Sequence, residues 1–288
     1  MKNEIYPLSQ DGTVTLTTYV MERSTVKWNN RDPWEPEGRP AVIVCPGGGY
    51  WFLSQREGEP VALSFLQQGY QAFVLHYSLQ ERSAFPNPLE DISKAVWFVR
   101  SHAGEFNIDP EKIAVCGFSA GGHVCAMLGT QWNTPGLCQR LGIPEGGNKP
   151  NAMVLCYAAL DFNAISRRMK GASKLDGVAA ISRQLPPEAD TSNYISGETV
   201  PAFLWITRED MLDCTDYLRF SEKLYAAGVP FELHLFGEGP HGMSLSSPLV
   251  AYGYELPVNV GQWFPLCVNW LNKRNDFGKP EPGKVCKY

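Results

Sequence analysis

The sequence predicts an α/β fold, with a mostly parallel central sheet and helices on both faces. Three observations support this prediction. Short apolar runs rich in β-branched residues recur along the chain, amphipathic stretches separate them, and the runs are apolar almost throughout. Near-continuous apolarity is typical of strands that helices cover on both sides. The chain has 288 residues, which is long enough for one large domain of this kind.

Six apolar runs are the predicted strands. They are AVIVCP (41–46), QAFVLHY (71–77), KIAVCGF (112–118), NAMVLCYAAL (151–160), AFLWIT (202–207) and FELHLF (231–236). Helices are predicted between them, because apolar residues there recur three and four positions apart and glycines such as Gly69 and Gly228 follow as stop signals. The predicted helices cover 60–69, 87–106, 121–132 and 214–228.

Two segments depart from this alternation. Residues 1–40 are typical of a β-rich lead-in, whereas residues 162–198 are polar and mixed and contain Pro186 and Pro187. The second segment is too short to hold a core of its own, so we expect an insertion or cap over one end of the sheet. The sequence therefore predicts a single domain over residues 1–288.

Charge and cysteine content exclude several classes of protein. The formal net charge is −5 and no Lys/Arg run occurs, so nucleic acid is not an expected partner. The N-terminus does not have the pattern of a signal peptide, and no apolar run has the length of a membrane span. The eight cysteines form no CxxC pair, and several lie within apolar runs. We therefore predict a cytoplasmic protein with reduced thiols, no metal and no membrane association.

The sequence gives no measure of oligomeric state. Trp263, Phe264 and Trp270 near the C-terminus could belong to the core or to an interface between identical subunits. A homo-oligomer is therefore compatible with the sequence.

A glycine-rich turn around one serine is the most informative motif. Gly117-Phe118-Ser119-Ala120-Gly121 is a G-x-S-x-G that directly follows a predicted strand and precedes a predicted helix. A serine on such a tight turn has a strained backbone and needs small neighbours. A plain glycine-rich connector is the alternative, which the flanking strand and helix disfavour. Ser119 is the predicted nucleophile.

A second glycine run, Gly47 to Gly49, follows the first long strand. Loops at the carboxyl ends of parallel strands carry ligand-facing groups, and glycines there let backbone N–H groups approach a substrate. With the N–H of Ala120, such groups could form an oxyanion hole. A phosphate loop is a weaker interpretation because no G-x-x-x-x-G-K-[ST] is present, and a plain turn is the simplest alternative.

Three aromatic residues follow the glycines. Tyr50, Trp51 and Phe52 could narrow an acyl pocket or stack on a sugar, and Tyr50 and Trp51 are the predicted substrate-binding residues. The alternative, that these rings only pack the loop, is equally compatible with the sequence.

A serine nucleophile requires a base, and the chain has five histidines. They are His76, His102, His123, His234 and His241. The first and fourth lie in strand-like runs, and the second and third lie on predicted helices. His241 follows the last strand in a glycine- and proline-flanked loop, where a base would lie over the serine. His241 is therefore the predicted base.

The acid is expected on the loop after the penultimate strand, where four acidic residues occur. They are Glu209, Asp210, Asp213 and Asp216. A carboxylate is needed to hold the imidazole tautomer and stabilise the imidazolium. Asp210 stands at the strand end, whereas acids nearer the next helix commonly serve its N-terminus. We favour Asp210 and keep Asp213 as the alternative.

The order of these motifs carries a family resemblance over most of residues 40–245. The matching segments are VCPGGGYWF, HYSLQERSAFPNPLEDISKAVWFVRSHAGEFNIDPEKIAVCGFSAGGH, VPAFLWITRED and AAGVPFELHLFGEGPHG. They resemble the α/β-hydrolase fold, and more narrowly the esterase/lipase-like family that includes bacterial acetylxylan esterases and related carbohydrate deacetylases. The resemblance implies a catalytic triad of Ser119, Asp210 and His241, with an oxyanion hole near Gly48, Gly49 and Ala120.

Two departures from the family pattern occur. Many relatives have His-Gly-Gly-Gly at the first glycine loop, and here Pro46 replaces the histidine. After the acid, relatives tend to have D-x-x-V-P, whereas this chain has DMLDC, with Asp213 in place of the valine. The first departure does not remove the N–H donors of the glycines. Because of the second, both Asp210 and Asp213 remain candidate acids.

The sequence thus predicts a serine carboxylester hydrolase for short acyl esters, without metal or organic cofactor. Its expected partner is a small-molecule ester. The resemblance implies acetylated sugars or xylo-oligosaccharides as substrates. An amide hydrolase, such as an aryl formamidase or small peptidase, would use the same triad. An inactive binding protein or a scaffold with this fold is the alternative outside enzymes.

Overall fold

The central feature of the computed structural model is one sheet of eight strands within the described residues, which are 1–22, 38–160, 189–251, 257 and 259–275. The strands are β1 (Ile5–Pro7), β2 (Thr15–Tyr19), β3 (Arg39–Cys45), β4 (Gln71–His76), β5 (Ile108–Phe118), β6 (Ala152–Cys156), β7 (Ala202–Thr207) and β8 (Phe231–Phe236). Their order in the sheet is β1-β2-β4-β3-β5-β6-β7-β8. β2 pairs antiparallel with β1 and β4, and the other neighbours are parallel. This confirms the predicted α/β class.

Within the described residues, helices lie between the parallel strands, and one more helix follows β8. They are α1 (Glu59–Gln67), α2 (Asn87–Ser101), α3 (Ala103–Phe106), α4 (Ala120–Gln131), α5 (Leu137–Leu141), α6 (Cys214–Ala226) and α7 (Trp263–Asn275). Along the sheet, the connection from β3 to β4 leads toward β2. The connections that contain α2, α4 and α6 lead the other way, toward β8. Because such connections are right-handed, α1 covers one face and the other three cover the opposite face.

Local sequence accounts for the limits of these helices. α1 has Pro60 in its first turn, where the missing N–H costs nothing, and Gly69 follows its end with φ +89°. α6 begins at a cap, because the side chain of Asp213 accepts the N–H of Thr215, and Gly228 follows its end with φ +70°.

Some boundaries differ from the sequence-based prediction. The predicted strand 151–160 ends at Cys156, because Tyr157 takes φ +35° and the next N–H groups bond away from the sheet. The predicted helix 87–106 divides at His102 into α2 and α3. Of the predicted insertion 162–198, residues 162–188 lie outside the described residues. Residues 23–37 of the lead-in also lie outside the described residues. The described part of the lead-in contributes β1 and β2.

The core includes the C-terminal aromatic residues. Trp263 is fully buried and stacks on Trp205 of β7, and Trp270 is nearly buried and contacts Phe203. The tryptophans of α7 therefore belong to the core and not to an exposed face.

Two further observations concern the described residues. The seven cysteines among them are free thiols, and all except Cys214 are buried. No helix within these ranges has both the length and the apolar character that crossing a bilayer requires.

Candidate active site

Ser119 lies on the tight turn between β5 and α4. Its backbone has φ +51° and ψ −117°, a conformation that non-glycine residues rarely adopt. Three backbone hydrogen bonds hold this turn. The N–H of Ser119 donates to the Cys156 carbonyl at 3.1 Å, and the Ser119 carbonyl accepts the N–H groups of His123 and Ala159, each at 3.1 Å. The strain is therefore maintained by neighbouring backbone.

The glycines around Ser119 are required by packing. A Cβ on Gly117 would overlap the carbonyl oxygen of Gly121, and a Cβ on Gly121 would overlap that of Cys45. Gly122 packs in the same way against Ala158. The small residues of the motif thus allow α4 to start directly against β3, which presents the serine at the carboxyl end of the sheet.

His241 and Asp210 meet the serine from two other loops. His241 follows β8, and its Nε2 lies 2.8 Å from Ser119 Oγ. Asp210 follows β7, and its carboxylate oxygens lie 2.8 and 3.0 Å from His241 Nδ1. A carboxylate only accepts, so this contact assigns the proton to Nδ1 and leaves Nε2 to accept from the serine hydroxyl. The structure therefore brings the three predicted residues together in one hydrogen-bonded chain.

The burial of the two partners differs. The side chain of Asp210 is 1% exposed, whereas that of His241 is 21% exposed. Asp210 also accepts the N–H of Leu212 at 2.8 Å. A carboxylate held in this way orients the imidazole, whose other nitrogen remains close to solvent and to an incoming substrate.

The other acids have separate partners. Asp213 caps α6 through the N–H of Thr215 at 2.9 Å, and Asp216 pairs with Arg219 at 3.0 Å. Glu209 accepts the N–H of Gly239 at 3.2 Å. Of the two acids that the sequence left open, only Asp210 contacts the imidazole.

The remaining histidines lie away from the serine hydroxyl. His102 Nδ1 is 2.8 Å from the Phe98 carbonyl, and His234 Nε2 is 2.8 Å from Glu232. His76 is exposed at the end of β4. His123 is fully buried, and its two ring nitrogens contact the Tyr50 hydroxyl and the Ala189 carbonyl, each at 2.6 Å.

The glycine loop runs beside Ser119. A Cβ on Gly47 would stand 2.9 Å from Ser119 Cβ. Gly48 and Gly49 have φ +131° and +63°, so side chains there would be strained. Among the described residues, no acceptor takes the N–H groups of Gly48, Gly49 or Ala120. These N–H groups are therefore free to donate, and their role as an oxyanion hole stays a prediction.

The two predicted substrate-binding residues differ in placement. Tyr50 is 1% exposed and packs edge-on against Tyr77 and His123. This buried position differs from the expectation that Tyr50 contacts a substrate. Its position on the loop turns the ring inward, where its hydroxyl bonds His123. Trp51 is 54% exposed and Phe52 is 58% exposed, so both can contact a ligand.

The contact between Tyr50 and His123 has a defined direction. The Ala189 carbonyl can only accept, so His123 Nε2 carries the proton and Nδ1 accepts from the Tyr50 hydroxyl. Burial lowers the pKa of His123 to about 4, which keeps the ring neutral. This neutral imidazole joins the glycine loop to α4.

Sequence reasoning missed three residues beside the site. Arg56, Glu57 and Tyr157 contact the glycine loop or the loop of His241. Charged residues before a helix usually lie at the surface, so no local pattern distinguishes Arg56 and Glu57.

A cavity of about 100 Å³ adjoins His241, lined by Arg56, Pro240, His241, Gly242, Met243, Val250 and Ala251. Within the described ranges, no cluster of three or more His, Cys, Asp or Glu side chains could hold a metal.

Comparisons with known proteins place the chain among α/β-hydrolases. MGS-M1, an α/β hydrolase enzyme from a Medee basin deep-sea metagenome library, is 34% identical with a TM-score of 0.74, covering 96% of this chain and 98% of that one. The acetyl ester-xyloside bifunctional hydrolase of Caldicellulosiruptor lactoaceticus is 29% identical with a TM-score of 0.73, covering 94% and 96%. The acetylxylan esterase of Xylanibacter ruminicola is 26% identical over 80% of this chain and 46% of that protein.

The matches differ in how much of the chain and how much of each relative they cover. The chain spans 33%, 46% and 56% of the first three curated relatives that it matches, so those are longer proteins. Residues 32–219 match the BD-FAE family, and this range contains Ser119 and Asp210, whereas His241 lies beyond it. With nearly two thirds of its length matched, the chain belongs to the BD-FAE family of α/β-hydrolases.

Proposed function

We propose that this protein is a serine carboxylester hydrolase that removes short acyl groups, in particular acetyl groups from sugars or xylo-oligosaccharides. The observation that carries the proposal is the hydrogen-bonded chain from Ser119 Oγ through His241 to Asp210, with both joints at 2.8 Å. Nucleophile, base and orienting acid in this order are the requirement for acyl transfer through a covalent intermediate.

In the first half of the reaction, Ser119 Oγ attacks the ester carbonyl carbon while His241 Nε2 takes the hydroxyl proton. The carbonyl oxygen becomes an oxyanion, and the N–H groups of Gly48, Gly49 and Ala120 are the proposed donors to it. The tetrahedral intermediate collapses, the bond to the alcohol oxygen breaks, and the imidazolium returns its proton to the leaving alcohol. The product of this half is an acyl-serine.

In the second half, water replaces the alcohol. His241 takes a proton from the water as it attacks the acyl carbon, and the same oxyanion donors serve the second intermediate. Collapse releases the carboxylic acid and restores the Ser119 hydroxyl. Throughout, the buried carboxylate of Asp210 keeps the imidazole oriented and stabilises its protonated form.

The substrate class is supported by two observations. The similar proteins include one named acetylxylan esterase and one named acetyl ester-xyloside bifunctional hydrolase. The exposed rings of Trp51 and Phe52 lie beside the glycine loop, where an aromatic face can stack on a sugar. Acetylated xylo-oligosaccharides are therefore the first substrates to test.

The test is acetate release from acetylated xylo-oligosaccharides and from p-nitrophenyl acetate, with p-nitroacetanilide as the amide. We expect wild-type protein to cleave both esters and Ser119→Ala to lose about 10⁴- to 10⁶-fold in kcat/KM. Ser64→Ala is the matched control, because among the described residues this hydroxyl bonds only the Pro60 carbonyl within α1.

The outcomes separate the alternatives. Activity on the nitrophenyl ester alone would keep the serine mechanism and discard the sugar. Faster cleavage of the anilide than of the esters would favour an amide hydrolase. Lack of Ser119-dependent turnover, together with no labelling of Ser119 by a fluorophosphonate, would contradict the proposal and favour a binding protein.

A further inference from the structure

Glu57 is a buried carboxylate that the proposed reaction does not use. It lies in a short 3-10 turn, Gln55–Glu57, just before α1, and is 3% exposed. Its Oε2 accepts the N–H of Gly47 at 2.8 Å, and its Oε1 accepts the hydroxyl of Tyr157 at 2.6 Å. No ion pair of Glu57 occurs within the described residues. Burying a carboxylate beside neutral donors alone is costly, so a surface glutamate would be the ordinary arrangement here.

Glu57 stands next to the nucleophile. A Cβ on Gly47 would lie 2.8 Å from Glu57 Oε2 and 2.9 Å from Ser119 Cβ, so the carboxylate and the serine border the same narrow gap. The hydrogen bond to Gly47 holds the start of the glycine loop, directly before the proposed oxyanion donors Gly48 and Gly49. Glu57 thus holds the residue that precedes these donors.

Tyr157 extends the contact from Glu57 to the loop of His241. Its hydroxyl oxygen accepts the N–H of Ser244 at 2.8 Å while its proton goes to Glu57. Its ring meets the imidazole of His241 edge-to-face, with centroids 5.0 Å apart. Burial raises the pKa of Tyr157 well above its usual value, so the phenol keeps the proton that it donates.

The hydrogen-bond directions leave one consistent arrangement. Tyr157 keeps its phenolic proton and donates it to Glu57 Oε1, its oxygen accepts from the Ser244 N–H, and Glu57 Oε2 accepts from Gly47. Both oxygens of Glu57 thus serve as acceptors, which a carboxylate satisfies and an amide does not.

Ser244 is itself held in place. It has φ +51°, its hydroxyl donates to the Arg56 carbonyl at 2.6 Å, and its carbonyl accepts from Trp263 Nε1 at 2.8 Å. The Arg56 guanidinium donates to the Gly242 carbonyl at 2.8 Å, next to His241. The turn at Gln55–Glu57 therefore contacts the loop of His241 on one side and the glycine loop on the other.

We propose that Glu57 is a positioning residue that couples the oxyanion loop to the loop of His241, through Tyr157 and the Ser244 N–H. The proposal rests on the function proposed above. The oxyanion donors and the base must act together on one tetrahedral centre, and small displacements at such a centre are costly. The coupling therefore acts on the transition state and leaves initial substrate binding nearly unchanged.

Three variants test the coupling: Glu57→Gln, Tyr157→Phe and the double variant. Glutamine keeps the shape of Glu57 but turns an amide N–H toward either the Gly47 N–H or the Tyr157 hydroxyl, both of which are donors. Phenylalanine keeps the ring of Tyr157 and removes the hydroxyl that bonds Glu57. We expect each single variant to lose about 10- to 100-fold in kcat with KM within about threefold. The kcat of the double variant should lie within about threefold of that of the slower single variant. The reason is that both changes break the same hydrogen-bonded connection.

Tyr70→Phe is the matched control. Tyr70 is equally buried, and its hydroxyl bonds Asn272 far from the serine. It should lose thermal stability to a degree similar to Tyr157→Phe and keep wild-type kcat. Affinity for a boronic acid, which forms a tetrahedral adduct with a serine nucleophile, should fall in parallel with kcat only in the Glu57 and Tyr157 variants.

The proposal is overturned if kcat of the folded single variants stays at the wild-type level, if only KM changes, or if the two losses multiply in the double variant. Tyr157→Phe keeps its ring between His241 and Trp205, so it decides the question even where Glu57→Gln does not fold. Ser119→Ala, assayed in parallel, separates this failure from failure of the proposed function. A serine-dependent enzyme with unaffected Glu57 variants contradicts only the coupling.

Discussion

The two sides of the candidate active site are built in different ways. On the nucleophile side, backbone holds Ser119: its own N–H and carbonyl bond the ends of β6 and α4, and glycines allow the close contact with β3. On the histidine side, side chains from distant segments hold the loop. The Arg56 guanidinium bonds Gly242, the Tyr157 hydroxyl bonds Ser244, and Thr207 Oγ1 bonds the Gly239 carbonyl at 2.5 Å.

This difference has a consequence for mutation. A backbone-built turn tolerates almost no added volume, since each neighbour is main chain that cannot rotate away. A loop held by side chains can lose one contact and keep its fold, at the cost of a less precise position for His241. Changes that add volume around Ser119 should therefore act on stability, and changes on the histidine side on catalysis.

After loss of the nucleophile itself, the largest expected effect is on the histidine side. Asp210→Asn should lower kcat by about 10⁴-fold, because an amide no longer holds the Nδ1–H tautomer, while the free energy of unfolding changes little. The measurement is steady-state hydrolysis of p-nitrophenyl acetate together with urea unfolding.

Asp213→Ala is the matched control for Asp210→Asn. It removes the cap of α6 and should cost about 1 kcal/mol of stability while keeping activity. If Asp213→Ala were the inactive variant and Asp210→Asn the active one, Asp213 would be the triad acid.

The next effect is on the nucleophile side. Gly121→Ala should lower the free energy of unfolding by about 3–4 kcal/mol, because its methyl group would overlap backbone of β3. Gly104→Ala in α3 meets no atom within 4 Å, and should be neutral or slightly stabilising. Thermal and urea unfolding compare the two variants, and equal stability would show that the turn at Ser119 accommodates a side chain.

A smaller effect tests a side-chain contact on the nucleophile side, between His123 and Tyr50. Burial lowers the pKa of His123 from 6.5 to about 4, so the unfolded chain takes up this proton at higher pH than the folded protein. Stability should therefore fall as the pH drops from 6.5 towards 4, by about 3 kcal/mol for this group.

His123→Gln provides the control for this pH dependence. Its amide can accept from the Tyr50 hydroxyl and donate to Ala189 but does not titrate, so its stability should depend less steeply on pH over this range. Urea unfolding at several pH values measures both proteins. Identical slopes would mean that His123 does not carry this dependence.

Much of the fold followed from local sequence. Apolar runs correspond to β3 through β8, and glycines mark the ends of α1 and α6, because burial and backbone freedom act over a few residues. The end of β6 was missed, since the turn at Tyr157 depends on bonds to Tyr217 and Ser119 from other elements. The helix of α7 was not predicted from its pattern of aromatic residues.

For the candidate site, the sequence by itself determined the types of residue and their order along the chain. The G-x-S-x-G between a strand and a helix, the glycine run and a histidine after the last strand are local patterns, because each reflects constraints on a few adjacent residues.

Only the tertiary structure decided which groups meet. It selected Asp210 over Asp213 at the imidazole, turned Tyr50 inward onto His123, and placed Glu57 between two loops. These outcomes depend on distances between segments far apart in the chain. Hydrogen bonds and burial act over a few ångströms in space, whatever the separation in sequence, and no local pattern records them.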